Sequence, residues 1–557
     1  MFFRAKKSGA YQYLQVVENQ RINGKVRQRV IATVGRVDLL AASGELDGLL
    51  SSGARFAQNV SILDAHRRGA LPPAKTIKVG PVWVFERLWK QLGIPEILEQ
   101  LLDGRKYEFP VERAIFLTVL HRLMCGGSDR AAEQWCRDYA MEGMDGLALH
   151  HLYRAMAWLG EALPGGGQIG ATPFAPRCHK DQIEEALFAH RRDLYSGLEL
   201  VFFDTTSIYF EGEGGQTVGR RGHNKDHRPD LKQMVVAAVL SDTGQPICCE
   251  LWPGNTADVK TLIPVVNRLR EKFGITRICI VADRGMISRE TIAELGRFDP
   301  PVHYILGARM RAVKEVRQDV LGDAGPFEEV YGLKQTSKDP SPLAVKEVRV
   351  GSRRYVVCRN EDEAKKDRAD REAIVEHLRQ QLRQGDKSLV GNKGYQRYLK
   401  TVSGSRRFEV DEQRVQEEAK YDGLWVLQTD TALVPRDVAL RYKDLWMVEA
   451  GFRTLKSVLE TRPVWHKCDE TIRGHVFCSF LALALQKELM DRLAEHGWTV
   501  EWERLKADLE RVEEITVEAR GLGFVIRSQL TGDAGKAIQA AGVALGPTVR
   551  VLEGGGP

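Results

Sequence analysis

The fold turns on Leu198-Glu199-Leu200-Val201-Phe202-Phe203-Asp204-Thr205-Thr206. Five of the six residues before Asp204 are apolar, the pattern of a strand buried on both faces. A carboxylate taken out of water at the end of such a strand is costly unless a cation meets it. Asp204 is therefore either the cap of the turn that follows or one ligand of a cation site. Its company in the rest of the chain decides which.

The elements after Asp204 read in a definite order. The strand runs on to Phe210, and a polar, basic loop covers residues 211–230. A second strand, residues 234–240, turns at Asp242-Thr243-Gly244 into a third, residues 247–252. Asp258 reads as the N-cap of a helix whose Leu262, Ile263, Val266, Leu269 and Phe273 recur at helical spacing, and Gly274 ends it. A fourth strand, residues 277–282, runs into Asp283. A short helix (288–295) and a fifth strand (303–306) complete the series. Three hairpin-linked strands, then helix, strand, helix, strand, is the order of a ribonuclease-H-like α/β core. In that fold the first strand is central and the fourth lies beside it, which would bring Asp204 and Asp283 together. Other mixed α/β folds share fragments of the order, so it does not decide function alone.

Residues 309–428 break the alternation. They hold strands of their own (348–357, 406–410, 424–429) and a heavily charged helix over 361–384, too much chain for a loop. Pro435 then opens a long helix. Tyr442, Glu449 and Lys456 stand seven residues apart, so they form one stripe that drifts by about 20° per step. Leu445, Phe452 and Leu459 share that side, so the helix should pack on the sheet, where a glutamate needs a cation.

Upstream, residues 11–34 alternate around Asn23-Gly24, a hairpin signal. Lys25, Arg27 and Arg29 fall on one face of its second strand, either facing phosphates or simply solvated. Residues 79–161 are helical in pattern, which suits either DNA recognition or scaffolding. Leu163-Pro164-Gly165-Gly166-Gly167 marks a boundary. Helices are expected over 472–494 and 502–512, and the small-residue stretch 541–557 reads as loosely ordered. The expected division is an N-terminal hairpin region (1–70), a helical domain for DNA ends (76–162), a core in two parts (180–308 and 431–490) around an insertion (309–430), and a C-terminal helical region with its tail (491–557).

The 557 residues suffice for about three or four domains. A net charge of +6 permits nucleic-acid binding without demanding it. The nine cysteines show no C-x-x-C pair, which fits a reducing cytoplasm rather than a secreted disulfide scaffold. The N-terminus has no long apolar run of a signal peptide, and the longest apolar run, residues 476–485, is too short to span a membrane.

Asp204, Asp283 and Glu449 thus fall on three elements that this fold would gather. Carboxylates of this kind suit Mg²⁺, and two such ions can serve an in-line phosphoryl displacement. With Phe203-Asp204-Thr205-Thr206, residues 225–231, Gly254-Asn255-Thr256-Ala257-Asp258, Ala282-Asp283-Arg284-Gly285 and residues 442–456, the chain resembles the DDE transposases of bacterial insertion sequences. Within these it is similar to the cut-and-paste branch with a Y-x₂-R-x₃-E-x₆-K signature. Tyr442, Glu449 and Lys456 match that signature, and Leu445 stands where it has arginine.

The resemblance implies cleavage at the inverted-repeat ends of an element and transfer into target DNA. It implies Mg²⁺ (or Mn²⁺) held by Asp204, Asp283 and Glu449, and at least a dimer in the DNA complex. Tyr442 and Lys456 would hold the terminal phosphate, or form a snorkelling pair at a helix edge. Lys225, Arg228 and Lys232 would track the DNA backbone; Arg284 would either contact phosphate or balance local carboxylates. A zinc site at His223 and His227 has no further ligands at suitable spacing. Trp425, in an apolar strand, is not assigned as a platform for a flipped base. Two other readings keep the fold: a structure-specific nuclease that joins nothing, and a DNA-binding relic without catalysis.

Overall fold

The strand that carries Asp204 lies inside a nine-stranded mixed sheet in the computed structural model. The model describes all residues except 23–24, 55–74, 173–174, 192–199, 223–227, 229, 287, 337–338, 385–396, 402–407, 520–521 and 553–557. The chain groups into two units. One joins Met1–Val84, Arg137–Ala140 and His496–Pro557; the other joins Phe85–Cys136 and Met141–Glu495.

The first unit opens with β1 (Phe2–Ser8), β2 (Tyr11–Ile22) and β3 (Lys25–Arg36), an antiparallel sheet in the order β1-β2-β3. The alternation at residues 11–34 therefore forms the β2–β3 pair, while its Asn23-Gly24 turn lies outside the described residues. β4 (Lys75–Lys78) follows.

The second unit contributes β5 (Leu200–Tyr209), β6 (Gln233–Ser241), β7 (Pro246–Pro253), β8 (Cys279–Ala282) and β9 (His303–Gly307). β5 runs antiparallel to β6 and parallel to β8, and β8 runs parallel to β9. The parallel pair needs a crossover. The helix Leu262–Glu271 supplies it, and buries Leu262, Val265, Val266 and Leu269 with Val201, Phe203 and Ile280 on one face of the sheet. Side chains alternate along a strand. Phe202 and Val281 accordingly face the other way, into a core with Val438, Leu445, Val448 and Phe452.

The stretch between β9 and the Glu449 helix adds β10 (Glu328–Tyr331), β11 (Leu343–Val350), β12 (Arg353–Arg359), β13 (Leu399–Thr401), β14 (Phe408–Val410) and β15 (Leu424–Thr429). The large sheet reads β10-β11-β12-β15-β9-β8-β5-β6-β7, so the inserted strands extend the sheet through the β15–β9 pair. The single strand expected over 348–357 is a hairpin. Gly351 turns the chain with φ 59°, a conformation that glycine adopts without strain. The charged helix is Glu361–Gln384, and its Val375 and Leu378 pack with Leu399 of β13 and with Tyr398 just before it.

The helices of the second unit leave little backbone between them. A methyl group on Gly160 would collide with the Glu470 carbonyl oxygen, and one on Gly474 with that of Met156. Helices Leu149–Gly160 and Asp469–Glu495 therefore touch backbone to backbone. Helix Val111–Met124 is buried at every residue from Ala114 onward, so it offers DNA no open face over that length. Helix His179–His190 is tied to β7 and to the crossover helix by buried charges. Arg268 places one nitrogen 2.7 Å from Glu250 and another 2.7 Å from Glu184. Lys180 lies 2.6 Å from Asp181. Burial pushes the Glu184 carboxyl up even beside Lys180 and Arg268.

The first unit closes with β16 (Glu513–Ala519), β17 (Leu522–Arg527) and β18 (Val549–Leu552), in the order β18-β17-β16-β4. This corrects the expectation of a helical C-terminal region with a loose tail. The helix Trp502–Glu510 is present, but the tail's short Val-Arg-Val-Leu run pairs with β17, and Arg550 reaches Glu514 at 2.5 Å. All nine cysteines are free thiols, with Cys279 and Cys478 buried. Among the described residues no helix is long and apolar enough to cross a membrane.

Candidate active site

Alternation along β5 sets Asp204 on the side of Phe202, and its antiparallel partner Ala238 belongs to the same core. The β5–β8 register ends at Phe203 beside Ala282, so the next position sets Asp204 beside Asp283, one strand spacing of about 4.8 Å away. Both carboxylates are half-buried. The Tyr442 hydroxyl donates to Asp283 Oδ1 at 3.1 Å. Its phenol is pushed far above the usual range, first by burial, then by the charges of Asp283 and, more weakly, of Asp204. Both aspartates therefore bear on one hydroxyl, which stays protonated and can donate.

A close approach makes this possible. A Cβ on Gly307, in β9, would lie 2.6 Å from the Tyr442 hydroxyl and 3.0 Å from the Arg284 backbone nitrogen. Only a residue without a side chain lets tyrosine cross that strand to Asp283.

The element that carries Glu449 differs from the expected continuous helix. Helix Pro435–Lys443 ends before Asp444 and Leu445; helix Trp446–Arg453 follows, and a π-helical turn covers Thr454–Val458. Leu445, Val448 and Phe452 are buried against the face that carries Asp204. Glu449 is exposed rather than set into the apolar face: it borders the stripe formed by Leu445, Val448 and Phe452 and stands at its rim. Lys456, half-buried, lies in the π-helical turn, which breaks the regular seven-residue stripe. Leu445, at the signature's arginine position, is packing; Arg453 on the same helix is exposed.

The other charged candidates divide. Arg284 is exposed, and its backbone carbonyl accepts from Arg309 Nε at 3.1 Å. Arg228 pairs with Asp230 at 2.9 Å and lies over the Tyr209 ring, while Lys232 pairs with Glu213. Lys225, His223 and His227 fall outside the described residues.

One contact was missed from sequence. Asp258, read as a helix cap, accepts from Thr205 Oγ1 at 2.8 Å, and its carboxylate lies beside Gly285. The helix itself begins four residues later, at Leu262. Asp258 thus links the residue after Asp204 to the turn after Asp283. The Gly254-to-Asp258 motif was its only signal.

Among the described residues, one group of three His, Cys, Asp or Glu side chains has ligand atoms mutually within 4.8 Å: Asp129, His466 and His475. The aspartate–aspartate–glutamate set is not such a group. The centre of the histidine group is already held by a cation, since Arg122 lies 2.9 Å from His475 Nδ1 and 3.5 Å from Asp129. His475 Nε2 faces the Thr461 carbonyl at 3.1 Å, and burial keeps its imidazole neutral. Although burial opposes it, the His466 hydrogen bond and the Arg122 charge hold the Asp129 carboxyl well below its usual range. This cluster anchors the segment leaving the Glu449 helix.

A family model described as the transposase DDE domain matches residues 195–485, more than half of the chain. A second, described as the N-terminal domain of IS1634 family transposases, matches residues 3–65. No curated protein matches. Two solved structures are similar at low identity. A piggyBac transposase synaptic complex with hairpin DNA is 9% identical, with a TM-score of 0.38, over 77% of this chain and 79% of that one. A Mos1 transposase paired-end complex is 14% identical, with a TM-score of 0.13, over 35% of this chain and 60% of that one.

Proposed function

From the premise that this chain belongs to the DDE transposase family and is a DNA transposase, we propose that it cuts at the terminal inverted repeats of an insertion sequence and joins the ends to target DNA. The reading is carried by the parallel β5–β8 register, which runs into Asp204 and Asp283 on one side of the sheet. The order β7-β6-β5-β8-β9, with only its last two pairs parallel, supports a ribonuclease-H-like core.

The donor set fits a hard divalent cation. Asp204 and Asp283 offer oxygens from neighbouring strands, and Glu449 stands on a helix packed against the same face. These three would hold Mg²⁺ or Mn²⁺, which supplies charge stabilisation and an activated water or 3′-hydroxyl for phosphoryl transfer. Family members of this kind use divalent ions; which ion serves here is part of the proposal.

The remaining roles belong to the chain itself. Tyr442, its phenol pushed up by burial and by the Asp283 charge, donates to Asp283 and fixes its carboxylate. Asp258 holds Thr205 and so the backbone next to Asp204. Exposed Arg284, with Lys456, offers positive charge to the DNA phosphate. Arg228 and Lys232, together with Lys225, would track the DNA backbone. Acting on two element ends requires at least two copies in the DNA complex.

The test is end cleavage by wild type, Asp204→Asn, Asp283→Asn and Glu449→Gln, in Mg²⁺ and in chelator. Each variant should bind the end duplex and fail to cut it, and chelator should stop the wild type. Normal cleavage by Asp283→Asn would overturn the metal assignment; normal cleavage by Glu449→Gln alone would remove only the third ligand.

A further inference from the structure

The net positive charge of this chain is carried by its first 36 residues. Residues 1–36 contain eight Lys and Arg against the single acid Glu18, a net +7, whereas the whole chain carries +6. The other 521 residues therefore sum to −1. Those 36 residues are the sheet β1–β3 with its connections.

The sheet has two parts. β1 pairs only with residues 11–17 of β2. That base is packed: Val17 is fully buried, and Leu40 of the helix Val37–Ser43 closes over Gly35. Beyond Val17, β2 and β3 continue alone, paired from Glu18–Arg29 to Ile22–Lys25. Five residue pairs at about 3.4 Å make a two-stranded ribbon of about 17 Å. Two register shifts lie at its root, and such bulges increase twist.

Composition and exposure of the ribbon point the same way. Asn19, Arg21, Val26, Arg27, Gln28 and Arg29 are exposed. Register puts Asn19, Arg21, Val26 and Gln28 on one face and Gln20, Arg27, Arg29 and Glu18 on the other. The first face carries no acid, and the Gln28 side-chain oxygen on it accepts from Arg4 at 2.6 Å, an exposed bond that a base edge would have to replace. Among the described residues, Arg21 and Arg27 have no carboxylate at ion-pair distance; Arg29 meets Glu18 at 3.6 Å. Guanidinium and carboxamide side chains are those that match guanine and adenine edges two hydrogen bonds at a time, and the major groove, about 12 Å wide, admits a two-stranded ribbon. A second copy is a poor occupant, because two arms of the same charge repel.

We propose that the two-stranded arm, residues 18–22 and 25–29, enters the major groove of duplex DNA. Asn19, Arg21 and Gln28 read base edges, and Arg27, on the opposite face, sits against phosphate. This rests on the transposase reading and names the element that recognises the DNA ends, a task that the buried helix Val111–Met124 cannot perform.

The experiment titrates full-length protein, without divalent metal, onto a duplex of the element's terminal sequence and a scrambled duplex of equal length, across a salt series. Arg21→Ala and Gln28→Ala should each weaken the terminal duplex by about fivefold or more and leave the scrambled one within about twofold. Arg27→Ala should weaken both alike and lower the salt slope by about one. Circular dichroism melts check that each variant folds.

Wild-type affinity for both duplexes in all three variants would overturn the proposal. So would an altered sedimentation mass with unchanged DNA affinity, which would make the arm a self-association surface. Binding is scored apart from cutting, so a wild type that binds but never cuts in Mg²⁺ counts against the catalytic reading and not against the arm.

Discussion

Gly307→Ala is the sharpest probe of how the aspartate pair is built. The new methyl would sit 2.6 Å from the Tyr442 hydroxyl, closer than real Cβ atoms approach any oxygen, so the ring or the strand must move. Tyr442 cannot swing away cheaply, because its ring packs against the sheet core beside Leu445 and Val448. Overpacking of this kind costs about 1–3 kcal/mol, offset by roughly 0.5 kcal/mol from the narrower unfolded state of alanine. Tyr442→Phe deletes the very atom that the methyl meets, at a cost of about 1 kcal/mol for one hydrogen bond at a half-buried carboxylate. The two changes should therefore couple. In the Tyr442→Phe background Gly307→Ala should cost little, leaving only the 3.0 Å contact with the Arg284 nitrogen. A double-mutant cycle by urea unfolding should give a coupling of about 1 kcal/mol or more. Costs that simply add would refute the crossing of Tyr442 over Gly307, and with it the assigned support of Asp283.

Two further expectations concern the scaffold. Arg268→Met removes the shared partner of buried Glu184 and Glu250, and should cost about 3–5 kcal/mol in denaturant unfolding; a loss below about 1 kcal/mol would show that the carboxylates find other partners. His121, buried against Trp135, has its pKa lowered to about 4, first by burial and then by the Arg122 charge, with Asp129 opposing. The unfolded chain binds a proton there that the folded chain refuses. Stability from this group is thus full above pH 6.5 and falls as pH drops toward 4, by about 3 kcal/mol at most. His121→Gln should flatten the melting-temperature slope between about pH 7 and 4.5, and an unchanged slope would refute the assignment.

Much of the core was legible because its strands are short, apolar and separated by clear turns. The run before Asp204 and the residues before Asp283 could hardly be anything but buried strands, and their order left few topologies. The errors share a physical cause. The segment at 348–357 is apolar at both ends, so periodicity merged two strands that only the positive φ of Gly351 separates. The tail at 541–557 looked too rich in small residues to pair, yet four residues sufficed once β17 offered an edge. Contacts between residues far apart in sequence, such as Thr205 with Asp258 or Tyr442 across Gly307, leave no periodic trace. They depend on the register of strands that the sequence does not align.

Glu449 shows where periodicity misleads most. Seven-residue spacing promised one stripe from Tyr442 to Lys456, but the helix stops at Asp444 and restarts, then loosens into a π-helical turn. The break uncouples the two ends. Tyr442 crosses β9 at Gly307 to reach Asp283, while Val448 and Phe452 hold the second helix down and leave Glu449 outward at its rim. For a ligand meant to share an ion with DNA, a rim position is chemically sensible: a fully buried glutamate would be paired or neutral before any phosphate arrived. As the proposed third ligand, held at the edge of the face that carries Asp204, Glu449 would complete the site as the substrate phosphate enters.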